Sequence, residues 1–212
     1  YFADPRVSMI FDVSGGDAAN GILPYLDYVR IKESRALFFG YSDLTTVANA
    51  IFTKTGRPSV LYQARNLAEP DGTWQQEAFK RWMTDGDDSL FSFSCRFLRG
   101  QRMEGVVIGG NIRCFLKLAG TEYWPDMKGK LLLLEASGGQ APQMACYLAQ
   151  LQQLGVFEKI NGILLGTFLQ MEEQETGPGI GELVLEYTKN TCPVAQTSQI
   201  GHRSDSHAAI IG

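Results

Sequence analysis

The sequence predicts an α/β fold of two lobes with mostly parallel strands, and three observations support this. Short apolar runs alternate along the chain with segments in which apolar residues recur at helical spacing. The alternation lapses between residues 67 and 88, where Pro, Gly and acidic residues surround a single amphipathic turn. The 212 residues are 44% hydrophobic and 20% charged, which suits one large or two small domains. We therefore expect a first lobe at 1–66, a linker or cleft loop at 67–100 and a second lobe at 101–212.

Each predicted element rests on its own run of apolar residues. In the first lobe we expect strands at 7–13, 36–39 and 59–62, and helices at 21–31 and 44–51. We expect a strand at 90–97 before the second lobe, and in that lobe strands at 105–108, 130–134 and 160–165 and helices at 140–154 and 179–189. Because strands and helices alternate along the chain, most neighbouring strands are expected to run parallel.

Charge and cysteine content argue against several classes of function. A formal net charge of −4 gives no electrostatic reason to expect a nucleic acid or an anionic membrane as partner. No apolar run approaches the roughly 18 residues of a membrane span. The cysteines show no metal-binding spacing, so we expect no metal and no other cofactor. We interpret all four as buried, reduced thiols: Cys95, Cys114, Cys146 and Cys192.

One corner of the first lobe has the geometry that a serine nucleophile needs. The stretch "LFFGYSDLTTVANAIF" passes from a strand pattern directly into a helix pattern, and Gly40 permits the tight turn between them. Ser42 would sit on that corner beside the N–H groups of a helix N-terminus, which favour developing negative charge. An ordinary helix cap formed by Ser42 or Asp43 would give the same pattern. The stretch alone leaves both interpretations open.

Polar residues also follow other predicted strands. Glu135 ends the run "KLLLLE", and His202 follows Gly201 after the segment "VAQTSQI". Ligands of open α/β sheets bind beyond the carboxyl ends of the strands, so these residues and Ser42 are expected at one site. Their order along the chain, Ser then Glu then His, is that of the α/β-hydrolases.

Each of these residues also has a structural interpretation. An ion pair of Glu135 with Arg102 or Arg113, and a loop hydrogen bond of His202, would agree equally well with the sequence. Gly15 and Gly16 follow the first strand with accessible N–H groups and suit either a simple turn or a phosphate cradle, without the G-x-G-x-x-G spacing. Residue types and spacing alone do not decide between these roles.

Several longer motifs resemble one protein family. The chain carries, in order, "SGGDAANGILPYLDY", "FFGYSDLT", "VIGGNIRCFLKLAGTEYWPDMKGKLLLLE", "GVFEKINGILLGTF" and "IGHRSDSHAAIIG". These segments resemble the motifs of the LD-carboxypeptidase family of serine peptidases, which includes the microcin C self-immunity peptidases. The resemblance implies a flavodoxin-like N-terminal parallel-sheet layer and a C-terminal swivelling α/β domain. It also implies that this chain is trimmed at both ends, and its start without Met at Tyr1 agrees.

The resemblance implies roles for individual residues. Ser42 would be the nucleophile, Glu135 the acid that orients the histidine, and His202 the general base. The backbone N–H groups of Gly16 and Asp43 would form the oxyanion hole. Substrate contacts are assigned to residues near the motifs: Gly15, Asn111, Arg113 and Arg203. For Asn111 we favour a structural role that fastens its turn.

The implied activity is a cytoplasmic serine carboxypeptidase that needs no cofactor. It would cleave the L-to-D bond that releases the terminal D-Ala from a murein tetrapeptide, with a homodimer left open. One alternative is a microcin-immunity-type peptidase that cleaves an aminoacyl-nucleotide conjugate, with Trp74 or Trp82 stacking on the base. The short stretch before the GGN motif favours the cell-wall branch over this one. A second alternative is a non-catalytic small-molecule binding protein with two lobes.

Overall fold

The computed structural model describes residues 1–70, 72–174 and 177–212. The strands, in chain order, are β1 (Met9–Phe11), β2 (Leu37–Gly40), β3 (Ser59–Leu61), β4 (Arg96–Arg99), β5 (Val107–Asn111), β6 (Leu131–Ala136), β7 (Gly162–Phe168), β8 (Val194–Gln196) and β9 (Ala209–Ile211). The helices are α1 (Tyr28–Glu33), α2 (Thr45–Thr55), α3 (Thr73–Asp85), α4 (Ile112–Leu116), α5 (Ala141–Gln153), α6 (Leu169–Gln174) and α7 (Ile180–Thr188). Short 3₁₀ turns lie at Ala19–Tyr25, Ser42–Leu44, Ala64–Ala68 and Ser89–Phe91.

The strands form two sheets, and the predicted parallel α/β architecture is confirmed. The first sheet has the order β1-β2-β3-β9 and the second the order β4-β8-β7-β6-β5. All neighbours are parallel except β3 with β9 and β4 with β8, which pair antiparallel. The central strands β6 and β7 are buried along their whole length, as expected for parallel strands covered by helices on both faces.

Helix α2 joins the two sheets. Its apolar residues Val47 and Ile51 belong to the same core as Ile108 of the second sheet. The buried amide of Asn49 exchanges two hydrogen bonds of 2.9 Å with the backbone of Gly109. A Cβ atom on Gly110, where φ is +130°, would lie 2.6 Å from Leu61 Cδ1. Gly110 of the GGN motif therefore allows the second sheet to approach the first closely.

The segment predicted as a linker contains a regular helix. α3 packs on the first sheet through Trp82, whose ring lies 5.8 Å from that of Phe39 in an edge-on arrangement. The single amphipathic turn expected here is thus a helix of 13 residues. Asp71, which the predicted linker includes, lies outside the described residues. The domain boundaries themselves stay a prediction.

Three sequence-based predictions of local structure are wrong. The helix at 21–31 is divided into a 3₁₀ turn containing Pro24 and the separate helix α1, which begins where the Asp27 carboxylate accepts from Arg30 N. The strand at 90–97 begins only at Arg96, because a 3₁₀ turn occupies Ser89–Phe91. Two of the four cysteines are exposed rather than buried, namely Cys95 and Cys146.

Candidate active site

Ser42 lies on a strained corner between β2 and the turn that leads into α2. Tyr41 is extended, with φ −144° and ψ 168°, and Ser42 then adopts φ +57°, which non-glycine residues seldom adopt. A Cβ atom on Gly40 would lie 2.8 Å from Leu44 Cβ, so the strand end has room only for glycine. Such a strained strand-to-helix turn exposes a serine nucleophile in α/β-hydrolases.

Ser42 does not serve as a helix cap. It is the first residue of the 3₁₀ turn, and α2 follows that turn with Leu44 in the cap position. The Ser42 hydroxyl makes no hydrogen bond with any residue that the structure describes. The capping interpretation of Ser42 is therefore wrong.

Glu135 and His202 are hydrogen-bonded to each other. Nδ1 of His202 lies 2.7 Å from Oε2 of Glu135, whose side chain is only 1% exposed at the end of β6. The two arginines proposed as alternative partners are engaged elsewhere: Arg102 with Glu104, and Arg113 with Asp17. Because Nδ1 is hydrogen-bonded to the carboxylate, Nε2 is the ring nitrogen available to accept or donate a proton. Nε2 is buried and has no hydrogen-bond partner among the described residues.

Ser42 and His202 face the same two adjoining pockets. The first is also lined by Asp12, Ser14, Gly15 and Tyr62, and the second by Asn111, Arg113, Ser137 and Gln143. The predicted positions Gly15, Asn111 and Arg113 are thus brought to the serine. Asn111 also caps α4, since its side chain accepts a hydrogen bond from Cys114 N. That bond supports the structural role expected for it.

Four of the predicted site residues line neither pocket: Glu135, Asp43, Gly16 and Arg203. Gly16 has φ +127° and lines neither pocket, although its neighbour Gly15 lines the first. Arg203 also lines neither pocket, and its guanidinium forms an ion pair of 2.8 Å with Glu172. This pairing directs the Arg203 side chain to Glu172, and its expected substrate contact stays a prediction.

Asp43 connects the corner to the loop after β1 and to α4. Its buried carboxylate accepts hydrogen bonds from Ala19 N at 2.8 Å and from Lys117 Nζ at 2.6 Å. Burial alone would raise the pKa of Asp43, but the hydrogen bonds from Lys117 and Ala19 lower it below its ordinary value. The residue after Ser42 is therefore an ionised carboxylate at neutral pH that holds the double-glycine loop near the corner.

Sequence reasoning missed two residues at this site. Tyr41 is buried, and its ring lies edge-on to the His202 imidazole with centroids 4.9 Å apart. Burial, and next the charge of Glu135, raise the pKa of Tyr41 well above its ordinary value. Arg65 follows β3 and lines both pockets. Arg65 follows a strand just as Glu135 does, so the same rule selects it. It was missed because it stands immediately before the predicted linker at 67–100.

Neither tryptophan proposed for base stacking lines the two pockets. Trp82 packs against Phe39 and Phe91, and Trp74 lies on the ring of His207 with centroids 4.4 Å apart. Within the described ranges, no group of three or more His, Cys, Asp or Glu side chains is arranged to hold a metal ion. In the same ranges, every helix is too short or too polar to cross a membrane.

Comparison with known proteins gives several matches. A putative carboxypeptidase of Treponema pallidum is 29% identical over 194 residues, covering 79% of this chain and 57% of the relative. A probable murein peptide carboxypeptidase of Bacillus subtilis is 26% identical, covering 100% of this chain and 69% of the relative. A solved structure of MccF in complex with glutamyl sulfamoyl guanosine has a TM-score of 0.84 at 23% identity, covering 100% of this chain and 73% of that one. The last match shows a shared fold.

Family models cover most of the chain. The model described as LD-carboxypeptidase N-terminal domain matches residues 1–62, and the model described as LD-carboxypeptidase C-terminal domain matches residues 104–212. The first match contains Ser42, and the second contains Glu135 and His202. The chain spans 57% of the length of the Treponema relative. The chain belongs to the LD-carboxypeptidase family.

Proposed function

We propose that the protein is a serine carboxypeptidase that cleaves the L-to-D bond before the terminal D-Ala of a murein tetrapeptide. The observation that carries this proposal is the 2.7 Å bond from His202 Nδ1 to Glu135, with Ser42 lining the same two pockets as that imidazole. Membership of the LD-carboxypeptidase family and the similarity to a probable murein peptide carboxypeptidase support the choice of substrate.

The proposed reaction begins with His202 as general base. Nε2 of the neutral imidazole takes the proton of the Ser42 hydroxyl while Oγ attacks the carbonyl carbon of the scissile bond. The backbone N–H groups of Gly16 and Asp43 are proposed to stabilise the oxyanion of the tetrahedral intermediate. The imidazolium then gives its proton to the leaving amine of D-Ala. Water repeats the sequence on the acyl-enzyme and regenerates Ser42.

Glu135 has the positioning role in this mechanism. Its carboxylate accepts a hydrogen bond from Nδ1–H of His202, so the imidazole keeps the tautomer in which Nε2 is the acceptor. The same negative charge stabilises the imidazolium that forms when the serine is deprotonated. Since Glu135 is 1% exposed, little water screens this interaction.

Cleavage of an aminoacyl-nucleotide conjugate is less well supported. The MccF structures with nucleotide-like ligands share the fold at under 25% identity. The two tryptophans proposed to stack on the base, Trp74 and Trp82, lie outside both pockets. We therefore retain this activity only as a comparison in the assay below.

The decisive assay offers purified protein three substrates in parallel: a murein tetrapeptide ending in D-Ala, the same peptide ending in L-Ala, and an aminoacyl sulfamoyl nucleotide. We expect D-Ala release from the first alone, measured by chromatography, and an acyl adduct on Ser42 detectable by mass spectrometry after rapid quenching. Cleavage of the nucleotide conjugate with no D-Ala release would overturn the proposed substrate. Undiminished D-Ala release by a Ser42→Ala variant would overturn the serine mechanism.

A further inference from the structure

A carboxypeptidase that removes one residue must bind the terminal carboxylate next to its nucleophile. The carboxylate carbon of the last residue is three bonds from the scissile carbonyl carbon, a separation of under about 4.5 Å from standard backbone bond lengths. A cation that recognises this carboxylate therefore has to border the same space as Ser42. Sequence reasoning offered Arg113 and Arg203 for this role.

Arg65 has the required position. Three of the described residues line both pockets, and they are Ser42, His202 and Arg65. Arg65 belongs to the 3₁₀ turn Ala64–Ala68 directly after β3, so it lies beyond the carboxyl end of the strand beside β2. Its exposed guanidinium makes no hydrogen bond or ion pair with any residue of the described ranges. None of its donors is therefore engaged by the part of the chain that the structure describes.

The other cations near the site are already neutralised. Arg113 borders only the second pocket and is paired with Asp17, while Lys117 is paired with Asp43. Arg203 borders neither pocket and is paired with Glu172. The first pocket is also lined by the acidic residue Asp12, which disfavours an anion beside it. Among these groups Arg65 is the unpaired cation beside the nucleophile.

We propose that Arg65 binds the terminal carboxylate of the substrate and so restricts the enzyme to the last residue of a peptide. A guanidinium offers two parallel N–H donors that match the two carboxylate oxygens. Arg65 is thereby a specificity-determining residue of the proposed active site, and this inference rests on the proposed function. A peptide whose terminus is amidated lacks the charge and one of the two acceptors.

The test compares tetrapeptides ending in D-Ala and in D-Ala amide. Wild type, Arg65→Ala, Arg65→Lys and Arg102→Ala are assayed for kcat/KM on both, Arg102 being a surface arginine paired with Glu104 away from the pockets. We expect Arg65→Ala to lower kcat/KM on the acid by about 10- to 100-fold, the range for a hydrogen bond to a charged group, and to leave the amide within about 3-fold. Arg65→Lys should have a kcat/KM on the acid between those of wild type and Arg65→Ala, because lysine keeps the charge but lacks the two parallel N–H donors. Arg102→Ala should match wild type.

A binding measurement separates the failure of this inference from failure of the proposed function. Calorimetry on Ser42→Ala, with and without Arg65→Ala, gives the affinities for the uncleaved acid and amide. In one outcome wild type releases no D-Ala, but the acid binds more tightly than the amide and Arg65→Ala removes that preference. The carboxylate site is then supported and the proposed peptidase activity is overturned. If wild type releases D-Ala but Arg65→Ala changes acid and amide equally, or changes neither, the role of Arg65 is overturned. Failure of both peptides to bind overturns both proposals.

Discussion

Lys117 Nζ lies 2.6 Å from Asp43 Oδ1, and this bond ties the second sheet to the residue that follows Ser42. The Asp43 side chain is 3% exposed and that of Lys117 is 19% exposed, so the pair is mostly screened from water. Lys117 directly follows α4, whereas Asp43 belongs to the corner after β2. The pair therefore fixes the position of one lobe against the other beside the candidate nucleophile.

Replacing Lys117 by Met should destabilise the protein in a pH-dependent manner. Loss of one partner leaves the Asp43 carboxylate buried without its cation, so we expect a loss of about 3 kcal/mol in the free energy of unfolding at pH 7. The folded pKa of Asp43 is lowered, so its stabilisation is complete above the ordinary pKa near ~3.9 and is lost as the pH falls below it. The difference between variant and wild type should thus stay constant between pH 7 and pH 5 and shrink as the pH falls below about 4, measured by urea unfolding.

Lys54→Met is the matched control for that experiment. Lys54 and Glu122 are also 2.6 Å apart, but their side chains are 31% and 65% exposed. We expect a loss of under about 1 kcal/mol for this exposed pair. Equal losses for the two variants, or a Lys117→Met loss that grows towards pH 4, would contradict the role assigned to Asp43.

Substitutions of Ser42 should separate catalysis from backbone strain. Ser42→Ala and Ser42→Gly should both lose D-Ala release by about 10⁴-fold or more while keeping the wild-type circular dichroism spectrum. At φ +57° glycine is less strained than alanine, so Ser42→Gly should be the more stable of the two by about 1 kcal/mol. Thermal unfolding measures this difference. A Gly variant less stable than the Ala variant would show that the corner stores no strain.

Glu135→Gln tests the carboxylate that contacts His202. The amide keeps the size of the side chain but can present an N–H to Nδ1, which favours the tautomer in which Nε2 carries the proton. We expect a fall in kcat of roughly 10⁴-fold, the magnitude found when the aspartate of a serine-protease triad becomes its amide. Circular dichroism should be unchanged. A variant that retains most of its activity would mean that Glu135 only packs beside the imidazole.

Gly110→Ala should disturb the contact between the sheets. A Cβ atom there would meet Leu61 Cδ1 at 2.6 Å and Thr45 Oγ1 at 2.7 Å, at φ +130°. We expect a loss of about 3 kcal/mol in unfolding free energy and a parallel loss of activity. Gly120→Ala is the control, because φ is +78° but nothing lies within 4 Å, so about 1 kcal/mol of strain is expected. Similar losses at both positions would contradict the close approach at Gly110.

Elements of the fold that depend on local residue patterns could be predicted from the sequence. Buried parallel strands such as "LLLLEA" of β6 are continuous apolar runs, so the architecture was predictable. The positions of Ser42, Glu135 and His202 after strands predict that they share one site, and in the structure Glu135 is hydrogen-bonded to His202. The chemical roles of these three residues stay a prediction until activity is measured.

Other features depend on contacts that no local pattern reveals. In α3 the buried positions include Gln75, whose amide oxygen accepts from the Tyr62 hydroxyl at 2.6 Å, so a core-facing residue has the appearance of a surface one. Arg113 and Arg203 likewise form ion pairs with residues that are distant in sequence. Their partners are Asp17 and Glu172. Strand β9 has only three residues and pairs with β3, so its sequence alone is too short to identify it.

That pairing also determines when the first sheet can be completed. Ser59 of β3 lies opposite Ile211 of β9, so the edge of β3 gains its partner only after the intervening residues of the second sheet have left the ribosome. Until then the growing polypeptide presents an unpaired strand edge, which is prone to misassociation. The segment that fills this edge also brings His202 to the serine, since His202 precedes β9 by only a few residues. A nascent chain therefore acquires the sealed sheet and the histidine at nearly the same moment of its synthesis.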